Sequence, residues 1–140
     1  MTGETRARDV SAGAPIPVWE ELVVAVLAVY QFPVGRVLLL RERLNSAGLL
    51  DIHAIVDAGE ARVTRELNFA GYSRGLLTGV YAERLVKLAK TILAGDETAI
   101  ANILSGAEAD EVERTLRSLP GIGPKVVRNF LELRERRRAT

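Results

Sequence analysis

An all-α fold follows from the pattern of the sequence. Apolar residues recur at helical spacing along most of the chain, short Gly-, Pro- and Asp-containing breaks separate the periodic stretches, and no segment offers a partner strand. With 140 residues, 48% hydrophobic and 26% charged, the chain is long enough for one domain with a real core. The expected organisation is a flexible tail over residues 1–15 and a helical domain over residues 16–140.

The tail mixes Gly, Ala, Ser, Arg and acids without period and runs into Pro15 and Pro17. The first helix is expected over 19–30. Its centre, Leu22-Val23-Val24-Ala25-Val26-Leu27-Ala28-Val29-Tyr30, is apolar on every face and belongs in the middle of the core. Its β-branched residues would also suit a buried strand, but it has nothing to pair with. Phe32-Pro33 ends it, because a residue before proline resists the α region. The second helix, 34–46, turns Val37, Leu38, Leu40 and Leu44 inward and Arg36, Arg41, Glu42 and Arg43 outward, and Gly48 stops it. The third, 51–58, opens on Asp51 as N-cap. The fourth, 60–69, places Val63, Leu67 and Ala70 on one face. A turn-rich break over 71–75 leads to a long fifth helix, 76–94, with Val80, Leu85, Val86, Leu88, Ala89, Ile92 and Leu93 as core. Short helices over 97–104 and 108–118 follow, and a last one runs from Pro124 to about Arg136.

Between the last two helices lies Leu119-Pro120-Gly121-Ile122-Gly123-Pro124-Lys125, which reads as a helix-hairpin-helix. Gly121 and Gly123 lack a Cβ, so the chain can take positive φ there and a phosphate can approach the main chain. Pro124 suits a first helical position, having no N–H to waste. The helix behind it offers unpaired N–H groups and a positive dipole end, and Lys125 adds a full charge. The expected partner is a nucleic-acid backbone; the other reading is a tight turn between two core helices. Net charge is only +1, but the segment from Gly121 onward carries Lys125, Arg128, Arg134, Arg136, Arg137 and Arg138 against Glu132 and Glu135, a balance of +4. Such a local patch can hold phosphate, while Arg134 to Arg138 also suit a solvated helix end.

With these residues in view, the chain resembles the helix-hairpin-helix DNA glycosylase superfamily, and within it the endonuclease III branch. The hairpin Leu119 to Val126 is similar to the family's Leu-Pro-Gly-hydrophobic-Gly-x-Lys. Trp19 to Gln31 resembles the first family helix with its terminal glutamine. Gly71-Tyr72-Ser73 with Ala82-Glu83-Arg84-Leu85 resembles the Gly-aromatic turn and the helix after it. The resemblance implies a six-helix-barrel-type helical bundle and a role in base excision repair, on double-stranded DNA that is abasic or damaged. Family members flip the target nucleotide out of the stack before acting on it. Leu119, Gly121, Ile122, Gly123, Lys125 and Arg128 would then contact DNA, and Gln31 would fill the gap left by the flipped nucleotide.

Lys125 stands at the family position of the lysine whose amine attacks the sugar C1′, forms a Schiff base and permits strand cleavage. That chemistry needs a neutral amine; a plain phosphate contact does not. The sequence departs from the glycosylase pattern in having no aspartate after Asp110, which favours a non-catalytic DNA-binding module or a remnant serving a protein partner. Gln31 equally suits a solvent-exposed polar residue closing a buried helix.

The chain has no cysteine, which excludes disulfides and a cysteine-ligated iron–sulfur cluster. His53 is the only histidine and has no second ligand at metal spacing, so no metal site and no cofactor are expected, apart from a monovalent cation on hairpin carbonyls that the resemblance implies. Tyr30, Tyr72, Tyr81 and Trp19 are expected in and around the core. No signal peptide or bilayer-length apolar run is present, so the expected location is cytoplasmic, with no membrane partner.

Overall fold

Helix α1 (Pro17–Leu27) has no polar stripe to give to water, and the fold wraps it on all sides. The computed structural model describes residues 17–29, 31–106 and 108–139, with the backbone alone at 17, 138 and 139. The tail expected over 1–15, Tyr30 and the Arg138 side chain lie outside the described residues. Val18, Leu22, Ala25 and Leu27 are fully buried, and α1 touches α2 (Val34–Leu38), α5 (Leu76–Ala94), α6 (Glu97–Leu104) and α8 (Pro124–Ala139). The remaining helices are α3 (Arg41–Ser46), α4 (Ile52–Phe69) and α7 (Ala109–Arg117). α4 packs along α5, and α8 along α1. The described residues are thus all-helical, with no strand beyond one isolated bridge between Val29 and Phe32. Burying a leucine such as Leu22, Leu44 or Leu85 stabilises the fold by about 1.5–3 kcal/mol.

Several element boundaries differ from the sequence reading. α1 stops at Leu27 rather than near residue 30. Phe32 is held extended by Pro33, and its N–H donates to the Val29 carbonyl while Val29 N–H donates to Phe32, both at 2.9 Å. That tight turn takes the amide that would have continued the helix. The single helix expected over 34–46 is two, because Leu40, at φ −93° and ψ 2°, leaves the helical region. The run Leu38-Leu39-Leu40 cannot put three consecutive side chains on one inward face, and Leu39 ends up 84% exposed. The helices expected over 51–58 and 60–69 meet as α4, interrupted at Gly59 with φ 82° and ψ 167°, a conformation that a side chain would strain. Asp51 caps it, accepting from His53 N–H at 2.8 Å. α5, α6 and α8 begin where expected. Val80, expected in the core, is exposed instead: it shares the outer side of α5's first turns with Leu76 and Leu77.

Candidate functional site

The glycine turn between α7 and α8 is built from both flanks. α7 buries Val112 and Leu116, and its end is tied off by Ser118 N–H to Thr115 at 3.1 Å and Leu119 N–H to Leu116 at 3.0 Å. Leu119 and Ile122 then point into the core and anchor the turn from beneath. Gly121 sits on the surface at φ +76°, the left-handed region. Gly123 is not at positive φ, so the conformational demand falls on Gly121 alone; Gly123 instead leaves open space, with nothing within 4 Å of where a Cβ would stand. α8 opens at Pro124, and Val127 N–H donates to the Gly123 carbonyl at 3.1 Å. The N–H groups of Lys125 and Val126 precede that first rung and face the anion-favouring end of the dipole. Lys125 and Arg128 are both exposed. Among the groups expected at this site, only Gln31 lies elsewhere in the chain.

A strip of side chains leads from the turn to Gln31. A Cβ on Gly121 would stand 3.9 Å from Arg84 Cγ. The Arg84 guanidinium lies 5.2 Å from the centre of the Tyr81 ring, and Arg74 approaches the same ring at 5.4 Å. Arg74 Nη2 donates to Gln31 Oε1 at 2.5 Å, and Arg36 Nη1 donates to the Gln31 carbonyl at 2.9 Å. Arg36 in turn lies 4.1 Å over the Phe32 ring, which packs on Tyr72 with centroids 4.8 Å apart. Gln31 is therefore not at a helix end. It sits exposed in the tight turn after α1, held by two arginines.

The end of α1 is finished by side chains from these same elements. Because Val29 N–H turns to Phe32, the Ala25 carbonyl has lost its helical donor. Buried Asn129, one turn beyond Lys125 on α8, donates Nδ2 to the Ala25 and Ala28 carbonyls, both at 3.0 Å. Tyr72, fully buried, donates its hydroxyl to the Leu27 carbonyl at 2.6 Å. Burial pushes the Tyr72 phenol up to about 12.

The described C-terminal arginines include a solvated helix end at Arg136 and Arg137, both exposed, but each of these faces a carboxylate, so they are not the open patch that their number suggested. Arg134 is buried and donates to the Gly106 carbonyl. Arg136 pairs with Glu132 at 2.9 Å, and Arg137 with Glu21 at 3.0 Å. Burial raises the Glu21 carboxyl above its ordinary value, with Arg137 and Arg134 pulling the other way. His53 is exposed and bonds Glu97 at 3.1 Å. No group of three or more His, Asp and Glu among the described residues is placed to hold a metal ion, and no helix there is long and apolar enough to cross a membrane.

Sequence reasoning missed Arg36, Arg74, Arg84 and Asn129. The arginines come from three separate segments, and nothing in their spacing announces that the fold brings them to one strip. Asn129 carried a usable signal, a lone amide on the apolar side of an otherwise amphipathic helix. Comparison with known protein families, with curated proteins and with solved structures finds no match.

Proposed function

We propose that this chain binds double-stranded DNA, abasic or damaged, through the glycine turn, which acts as a helix-hairpin-helix within a six-helix-barrel-type bundle related to the base-excision glycosylases and lyases. One observation carries the reading: Gly121, at φ +76°, delivers the chain into a helix begun by Pro124, with the exposed Lys125 and Arg128 beside it. Leu119 and Ile122 serve it from below as anchors, while Gly121 and Gly123 leave the main chain approachable. A monovalent cation would rest on carbonyls of this turn, of which that of Gly123 already accepts from Val127, and the reading does not depend on it.

Lys125 acts here as a phosphate contact. Its side chain is exposed at the turn, where a phosphate can reach it. The second reading, a Schiff base between the Lys125 amine and the sugar C1′ of an abasic site, rests on the position of Lys125 beside the turn. Borohydride trapping on a duplex with one abasic site, with binding followed on a native gel, separates them. The expected result is retention of the duplex without a covalent adduct. An adduct that disappears in Lys125→Ala makes the lysine a nucleophile. Absence of DNA binding at any salt leaves the turn a structural element, or a surface for a protein partner.

A further inference from the structure

Two groups stand out among the described arginines, apart from Arg43, Arg65, Arg114 and Arg128, which have neither a carboxylate within ion-pair reach nor a ring beneath them, and Arg134, which donates to the Gly106 carbonyl. Arg41, Arg62, Arg117, Arg136 and Arg137 each face a carboxylate. Arg36, Arg74 and Arg84 face none among the described residues; they rest on Phe32 and Tyr81 and on Gln31. A guanidinium stacked on an aromatic ring keeps most of its planar N–H fork available, and that fork matches a phosphate. The ring fixes the side chain in advance, which lowers the entropy lost when the fork is used. The strip begins against Gly121, so its first member stands where a backbone gripped by the turn would continue.

We infer that Arg84, Arg74 and Arg36 form a second phosphodiester-binding track, continuous with the glycine turn and running from it to Gln31. The inference rests on the DNA reading above and extends it: the turn holds one phosphate, and the track holds further phosphates of the same duplex. Tyr81 is a positioning residue, since it orders two of the three guanidiniums and need not touch the nucleic acid.

The test is the salt dependence of binding to a short duplex, measured by fluorescence anisotropy on the full chain. Log affinity falls against log salt with a slope of about 0.9 per neutralised phosphate. Lys125→Gln is expected to reduce the slope by about one through the turn alone. Arg84→Gln, Arg74→Gln and Arg36→Gln are each expected to reduce it by a similar amount, and the triple variant by about three times as much. Arg84→Lys keeps the charge and is expected to keep the slope. Tyr81→Leu keeps every charge, so the slope should hold while affinity falls several-fold. Thermal melts of each variant show whether the fold is intact, and a variant that melts early is replaced by its methionine counterpart, which removes the charge and keeps an apolar stem on the ring. If the unsubstituted chain shows no salt-dependent duplex binding, the DNA reading fails and the track with it. If it binds, and Lys125→Gln lowers the slope while the arginine variants leave slope and affinity unchanged, the track alone is overturned.

Discussion

Gly121 shows what a single missing Cβ does here. Its φ of +76° is costly for any L side chain, by roughly 1–2 kcal/mol. The nearest atom to an added Cβ would be Arg84 Cγ at 3.9 Å, an ordinary contact, so Gly121→Ala is expected to lose stability through the backbone and not through a clash. A urea melt should show a lower midpoint at unchanged slope. Gly123→Ala, with open space and no positive φ, is expected to leave the midpoint in place. Asn129 is the opposite kind of residue, kept for what it donates. Asn129→Leu abandons two buried carbonyls at the end of α1, those of Ala25 and Ala28, and is expected to cost about 1–3 kcal/mol in the same melt. The sequence made Gly121 legible, because glycine beside Pro-Gly and Gly-Pro marks a turn. Gly123 looked equivalent and was not, since only the folded backbone separates a glycine needed for φ from one that leaves room.

Helices with a clear period were legible. α6 spans Glu97–Leu104 as expected, and the structure adds its cap, the Asp96 carboxylate accepting from Ala99 N–H at 3.0 Å. α1 was legible as a buried helix but not in length, because its end is decided by a backbone pairing across a tight turn that no periodicity records. The split between α2 and α3 escaped for a related reason: three leucines in a row satisfy an apolar pattern in either register. The contact of α1 with α8 also carries a pH dependence. Burial holds the Glu21 carboxyl above its ordinary 4.5, so in the window just above that value the folded chain binds a proton that the unfolded chain does not. Stability is therefore expected to fall as pH rises through this window. Glu21→Gln should flatten that stretch of a melting-temperature profile, and an unchanged profile would place the burial cost elsewhere.

Across the whole molecule, charge counted along the sequence and charge presented at the surface are different quantities. The C-terminal segment holds the densest run of bases, yet Arg134 is buried, and Arg136 and Arg137 each face a carboxylate. The arginines that rest on aromatic rings come from residues 36, 74 and 84, which chain distance separates and the packing of α2 and α5 around the end of α1 brings to one strip. Binding driven by this surface should therefore be insensitive to Arg136→Gln, beyond the few tenths of a kcal/mol of a surface helix pair. A loss of DNA affinity in that variant as large as in Arg84→Gln would contradict this division.

The amide of Asn129 joins two places that the chain keeps far apart. It grows from the helix that Gly123 and Pro124 begin, and it closes the helix whose end leads to Gln31. Being buried and bonded at both carbonyls, it works as a strut and not a hinge. The turn at one end and Gln31 at the other are consequently held at a set span, as the jaws of a gauge are.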